Sequence, residues 1–297
     1  MPEGHTIHRL ARDLNLTMGQ GAVIAGSPQG RFAAGAALIN GSRLLAADAW
    51  GKYLACAFDD GHVLHVHLGL IGKLRPADVA SSPGPTIRLR LENDRHAWHL
   101  TGPTRCELVT PEQWRAITSR LGADPLRPRP DVGTARARLA ATRKPIGAVL
   151  LDQSVIAGVG NVYRAELLFV CGLHPETPAA DLDDATFAEL WDRLVRLMRI
   201  GVRLNRIVTT TPELIGRSRP RMEPDDRLYV YHRDHCRLCS TELRTIELAG
   251  RPMQYCPVCQ ARGGARGRAQ SDRNSAAAAS GMTGFENVPE PTSPAAR

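Results

Sequence analysis

Apolar residues in the first twenty positions recur at helical spacing. Ile7, Leu10, Ala11, Leu14 and Met18 fall on one face of a predicted amphipathic helix over Glu3 to Gln20, with Gly19 and Gly21 as its stop. From Ala22 to about Leu108 the pattern becomes short apolar runs broken by turn residues. The clearest predicted strands are Leu44 to Ala57, Gly61 to Leu70, Thr86 to Leu91 and His96 to Leu100, with a hairpin turn at Asp59-Asp60-Gly61 between the first two. This half is expected to be a β-sandwich, or a β-sheet layer carrying the first helix.

Leu121 to Thr134 is rich in proline and glycine and reads as a linker between domains. Helical periodicity follows. Ala135 to Ala141 and Ile146 to Ser154 are predicted short helices, then a turn at Ala157-Gly158-Val159-Gly160-Asn161 feeds a helix over Val162 to Cys171. Asp183 caps a longer helix that buries Phe187, Leu190, Trp191, Leu194 and Met198 and is expected to end at Gly201. The Gly-Val-Gly turn before a helix N-terminus suits a bound phosphate as well as it suits a plain tight turn.

The last periodic segment changes the picture most. Cys236-Arg237-Leu238-Cys239 and Cys256-Pro257-Val258-Cys259 are two CxxC knuckles separated by 16 residues, the spacing of a tetrathiolate zinc site. Glu242 to Glu247 and Met253 to Tyr255 are expected to pair as a β-hairpin with Gly250-Arg251 at its tip. So short a segment buries little core, so the metal supplies the folding energy. An Arg on a rigid tip suits a phosphate. Beyond Gln260 the chain is rich in Arg, Ala, Ser, Gly and Pro and is expected to be disordered.

The domain organisation read from these shifts is 1–121, a linker at 122–134, a helical domain at 135–230, a zinc finger at 231–262 and a tail at 263–297. Composition then narrows the class. In 297 residues, 38 Lys and Arg face 30 Asp and Glu, a formal charge of +8. That balance favours an anionic partner. Only Lys52, Lys73 and Lys144 are lysines, so Arg carries the basicity, and its planar fork suits phosphate. No stretch approaches the roughly 20 apolar residues of a membrane span, and nothing reads as a secretory signal. Seven cysteines, four of them in the knuckles, fit a reducing cytoplasm with one metal site better than a disulfide framework.

Candidate chemistry lies at both ends of the chain. With Met1 removed, Pro2 carries a secondary amine, and a terminal α-amino group titrates near about 8, leaving a nucleophilic fraction at neutral pH. Such an amine can form an iminium with an aldehyde carbon, and the neighbouring Glu3 can move protons there. On these two residues alone, an ordinary chain start is the favoured reading, since many proteins begin Met-Pro. His65 and His67 share a strand face without a third ligand, which favours packing over metal.

Met1-Pro2-Glu3-Gly4, Gly51-Lys52-Tyr53-Leu54, His67 to Gly72, Leu121-Gly122-Ala123-Asp124-Pro125-Leu126, Leu151-Asp152-Gln153, Ala157 to Tyr163, Gly250-Arg251 and Cys256 to Gln260 stand in register along the chain. Together they resemble the formamidopyrimidine-DNA glycosylase/endonuclease VIII family of base-excision repair enzymes, from residue 2 to about 260. Gly4 is similar to the endonuclease VIII branch. The resemblance implies an α+β multidomain fold: an N-terminal β-sandwich flanked by helices, a helix-two-turn-helix domain and a C-terminal zinc finger, with damaged double-stranded DNA in the cleft between.

It also implies roles. Pro2 attacks C1′ of the damaged nucleotide and forms a Schiff base, Glu3 handles the protons, and β- then δ-elimination cuts the strand. Lys52 sits by the phosphate as proton donor and electrostatic aid. Asn161 and Arg251 clamp the flanking phosphates, and Arg251 assists δ-elimination. Leu70 is the candidate wedge for the vacated stack, with core packing as its ordinary alternative. The resulting expectation is a monomeric bifunctional glycosylase/lyase for oxidised bases, pyrimidines first. Its rivals are a nucleic-acid-binding protein without catalysis and a zinc-containing regulator that binds protein. His5-Thr6 and Gly69-Leu70-Ile71 depart from the family's usual residues, which bears on substrate range.

Overall fold

The computed structural model describes residues 2–19 and 21–262, so Met1, Gln20 and the tail expected at 263–297 lie outside the described residues. Helix α1 (Gly4–Met18) buries Ile7, Leu10, Ala11, Leu14 and Met18, the stripe that its spacing predicts. It packs on two four-stranded antiparallel sheets. The strands are β1 (Ile24–Gly26), β2 (Leu44–Trp50), β3 (Tyr53–Phe58), β4 (Val63–His67), β5 (Lys73–Ala77), β6 (Ile87–Glu92), β7 (Ala97–Thr101) and β8 (Arg105–Val109), with α2 (Ala33–Ile39) between β1 and β2. One sheet runs β1-β6-β7-β5 and the other β2-β3-β4-β8. Leu54, Cys56, Leu64 and Val66 of the second meet Leu74, Leu89, Leu91 and Leu100 of the first, with α1 closing the same core. The N-terminal half is a β-sandwich.

Two elements differ from the sequence expectation for a local reason. The apolar run Leu44 to Ala57 is two strands, because Gly51 takes φ +58° and turns the chain back so that Trp50 pairs with Tyr53. That turn carries Lys52. The Asp59-Asp60-Gly61 turn forms as its composition predicts, Gly61 donating its N–H to the Phe58 carbonyl at 3.1 Å. The half then ends on α3 (Pro111–Thr118), whose Thr110 and Gln113 form a reciprocal capping box.

The helical half comprises α4 (Val132–Ala140), α5 (Ile146–Val149), α6 (Asn161–Val170), α7 (Asp184–Leu204) and α8 (Pro212–Ile215). Of the predicted helix Ile146 to Ser154, only the first turn forms. Helix α7 has its predicted cap, Asp183 accepting from the Thr186 N–H, but it runs past Gly201 to stop at Asn205, which takes φ +53°. Gly201 is a packing residue: a Cβ there would lie 2.2 Å from the Tyr163 hydroxyl and 3.0 Å from the His5 Cβ.

Helix α6 is the axis of this half. All ten of its residues are buried, and such an all-round buried helix is packed from every side. Its Glu166 carboxylate accepts N–H bonds from Tyr229, Val230 and Tyr231, each at 2.8 Å, which fixes the chain entering the first CxxC knuckle. The C-terminal hairpin pairs β9 (Arg244–Leu248) with β10 (Arg251–Tyr255). Its tip is Ala249-Gly250, both with positive φ, so Arg251 opens β10 and does not sit on the tip itself. Met253, Cys236 and Cys256 join the core of the helical half, so the finger leans on that core from below.

Candidate active site at the junction of the two halves

A cleft of about 910 Å³ opens where the sandwich, the helical half and the hairpin meet. Pro2, Lys52, Tyr53, His67, Gly69 and Leu70 line it from the sandwich side. Arg138, Thr142, Lys144 and the segment Leu151 to Val155 face them, and Ala249 and Arg251 close it from the hairpin. Lys52, Arg138, Lys144 and Arg251 against the single carboxylate Asp152 give this lining a cationic balance. Two of the chain's three lysines are here.

Glu3 lies beneath Pro2 with no solvent exposure. It occupies the N-cap position of α1, yet its side chain makes no capping bond to that helix. The carboxylate reaches instead to the N-terminus of α6. It accepts the N–H of Gly160 at 2.8 Å, of Val162 at 2.9 Å and of Tyr163 at 3.3 Å. A helix N-terminus is a ready anion site, combining free amides with the positive end of the macrodipole. The anion that the Gly-Val-Gly turn holds is therefore the protein's own carboxylate, which occupies the amides that a phosphate would use. Burial raises the Glu3 pKa above its ordinary 4.5, outweighing the nearby Lys52 charge and the three amide bonds that pull it down.

Gly160 explains why this turn is built from glycine. A Cβ there would lie 2.4 Å from the Glu3 carboxyl carbon. Gly160→Ala is expected to cost about 1–3 kcal/mol by overpacking, read from denaturant unfolding, and to displace the carboxylate. A variant as stable as the wild type would show that the turn has slack. Gly4 completes the junction, its N–H donating to the Gly158 carbonyl at 2.8 Å.

Lys52 is half-buried on the β2–β3 turn. Burial pushes its ammonium pKa down, the Glu3 charge pulls it back up, and the Arg251 guanidinium lowers it further. Those three side chains therefore share one electrostatic neighbourhood. Beyond the metal pairing weighed for His67, the sequence assigns no role to Tyr53 or His67, which pair across β3 and β4, yet both line the cleft. Their rings meet edge-on at 5.0 Å. Strand alternation beside Lys52 was the available signal. His65 bonds Glu107 at 3.1 Å and its ring lies tilted against Trp114, so its own contacts are those of packing.

Asn161 stands differently from its expected role as an open clamp. It is 6% exposed and absent from the cleft lining. Its Nδ2 donates to the Pro252 carbonyl at 3.0 Å, and its Oδ1 accepts from Arg164. Arg164, which no local pattern singled out, is completely buried and also donates to the carbonyls of Gly147 and Leu248. Together they tie α6 to the hairpin that presents Arg251. Leu70 is 57% exposed and Ile71 77% exposed in the turn after β4, so core packing does not account for either.

The four knuckle cysteines converge. Sγ atoms lie 3.9 Å apart for Cys236 and Cys259, and 3.5 Å for Cys239 with Cys256 and with Cys259. All four fall within 4.8 Å of one another, and no other group of three or more His, Cys, Asp or Glu among the described residues does so. Tetrahedral thiolates at about 2.3 Å from a metal stand about 3.8 Å apart. The donor set and spacing fit a closed four-coordinate ion. Among the described residues no helix is long and apolar enough to cross a membrane.

Comparison with known proteins matches this architecture. The formamidopyrimidine-DNA glycosylase N-terminal domain matches residues 1–108, and the formamidopyrimidine-DNA glycosylase H2TH domain matches residues 121–213. Endonuclease 8 1 of Mycobacterium tuberculosis is 43% identical over 268 residues, 88% of this chain and all of that protein. The formamidopyrimidine-DNA glycosylase of Thermomicrobium roseum is 32% identical over 242 residues, 73% of this chain and 82% of that one. Among solved structures, the Lactococcus lactis Fpg bound to DNA containing an abasic site superposes with a TM-score of 0.71 at 24% identity, covering 88% of this chain and all of that one. The same enzyme with N7-benzyl-Fapy-dG DNA gives 0.72 at 23%. These two are likenesses of fold.

Proposed function

We infer the function from one premise: the chain belongs to the formamidopyrimidine-DNA glycosylase/endonuclease VIII family of DNA-repair glycosylases. The finer reading is a bifunctional glycosylase and abasic-site lyase that acts on damaged duplex DNA. The observation that carries it is the convergence of Pro2, Lys52 and Arg251 on one cationic cleft, with Glu3 seated directly behind Pro2.

Once Met1 is removed, the Pro2 amine attacks C1′ of the extruded nucleotide, the C1′–N bond breaks, and the proton that the amine loses leaves with the base. The product is an iminium between Pro2 and the opened sugar. Glu3 supplies the proton that ring opening needs, and its raised pKa keeps a protonated fraction available above the usual carboxylate range. The iminium acidifies C2′, so loss of that proton expels the 3′ phosphate, and a second elimination expels the 5′ phosphate.

Lys52 and Arg251 stabilise the phosphates as they leave, and Arg251 assists the second elimination. Asn161 serves the phosphate clamp through the hairpin that it and Arg164 hold, which presents Arg251 to the flanking phosphate. The exposed Leu70 enters the stack where the nucleotide has left, with Ile71 beside it. The knuckle metal is zinc, held by Cys236, Cys239, Cys256 and Cys259 in a reducing compartment, and its role is structural. Oxidised pyrimidines are the substrates to be expected first, from the resemblance of Gly4 to the endonuclease VIII branch.

Borohydride trapping on a duplex carrying an oxidised pyrimidine or an abasic site tests this. A covalent adduct is expected with the processed protein and none with Pro2→Gly or with Met1 retained. An adduct that survives Pro2→Gly would move the nucleophile elsewhere. No adduct on any abasic duplex would leave the chain a binding protein.

A further inference from the structure

The Pro/Gly-rich stretch between the two halves is fastened residue by residue to the turn that presents Lys52. Asp124 stands at its centre, its side chain fully buried. Oδ2 accepts the Gly51 N–H at 2.7 Å and lies 2.7 Å from His8 Nε2 on α1, while Oδ1 accepts the Leu126 N–H at 2.8 Å. The Gly122 carbonyl takes the Trp50 indole N–H at 3.2 Å. On its opposite side the same stretch holds the 153–158 turn. There the Gly122 N–H donates to the Gln153 carbonyl at 2.8 Å, and the Ala123 carbonyl accepts from the Ala157 N–H at 2.9 Å. One strap therefore joins the turn carrying Lys52 to the turn leading into the amides that hold Glu3.

We propose that Asp124 is a positioning residue, which through the Gly51 N–H and the His8 imidazole fixes the Lys52 turn relative to the helix bearing Glu3 and Pro2. The physical ground is the mismatch between Lys52 and its task. Its ammonium rides a flexible four-carbon stem on a two-residue turn, a poor anchor for a group that must meet one phosphate. Charge-assisted bonds in a dry site are the strong ones, and a single carboxylate here binds both the turn and the helix. A displacement of about 1 Å at a reacting group costs about 10²-fold in rate. The inference rests on the reading above that Lys52 takes part in the reaction.

A double-mutant cycle tests it. Single-turnover strand scission of an abasic duplex is measured for the wild type, Asp124→Asn, Lys52→Gln and the double variant, with thermal unfolding of each. Asp124→Asn is expected to slow scission about 10- to 100-fold in the wild-type background. In the Lys52→Gln background it should slow scission less than about twofold, because the group it positions is gone. An equal slowing in both backgrounds overturns the proposal and makes Asp124 a residue of the fold alone.

His8→Gln, which leaves the Gly51 bond in place, gives a second cycle should Asp124→Asn unfold. Its slowing, about three- to tenfold, should likewise vanish without Lys52. A wild-type protein that leaves no borohydride adduct refutes the reaction and the positioning with it. A wild-type adduct together with equal slowing in both backgrounds refutes the positioning alone.

Discussion

Glu3→Gln is expected to slow base excision by about 10²- to 10⁴-fold, the usual contribution of a positioned acid–base group. The same variant should still form the borohydride adduct at a preformed abasic site, where no base remains to be expelled. The amides at the start of α6 explain why the substitution is severe. Glu3 presents one oxygen to Gly160 and Tyr163 and the other to Val162. A Gln has a single acceptor oxygen, so its NH2 faces a buried N–H whichever way it turns, at a cost of about 1–3 kcal/mol.

The pH profile separates the proton role from this packing cost. Because burial raises the Glu3 pKa, its protonated form persists above 4.5 and disappears as pH rises through the raised value. Wild-type excision should fall along that limb, and the residual excision of Glu3→Gln should show none. Excision within tenfold of wild type, or an unchanged pH profile, would take Glu3 out of the chemistry.

Removing the knuckle metal, or substituting Cys256→Ser, is expected to lower strand scission more than about 100-fold, mainly through lost DNA engagement. Structural zinc contributes about 10–16 kcal/mol to the folding of small fingers at neutral pH. Here the loss also reaches inward. Cys236, Cys256 and Met253 are nearly inaccessible and belong to the core of the helical half. The hairpin they support starts β10 at Arg251, on the wall of the cleft. Elemental analysis should find one zinc per chain, and anisotropy with an abasic-analogue duplex should follow its removal by chelation. Full scission by protein shown to be metal-free would separate the finger from catalysis.

Features that depend on near neighbours were legible in the sequence. The stripe of α1, the Asp183 cap of α7 and the two CxxC knuckles each carry their signal within one element, and each forms as read. The family resemblance supplied the residues that meet in the cleft, but not how they are held. The bonds from Glu3 to Gly160 and from Asp124 to Gly51 join distant parts of the chain, and no local pattern encodes them. Gly201 misled for the same reason. A glycine late in a helix reads as a stop, whereas this one makes room for the Tyr163 hydroxyl and His5. Arg164 gave no signal because an arginine inside an apolar helical run reads as a surface residue, while here carbonyls of α5 and the hairpin surround its guanidinium.

The burial of α6 from every side gives the enzyme a logic of coincidence. The first amides of α6 seat Glu3, Asn161 and Arg164 in its opening turn hold the hairpin of Arg251, and Glu166 further along holds the approach to the finger. Each contact reports on a different body of the protein, and all report to one rigid rod. If the halves swing apart, the carboxylate loses the α6 amides that seat it. The seated acid is therefore a property of the joined halves and belongs to neither one alone.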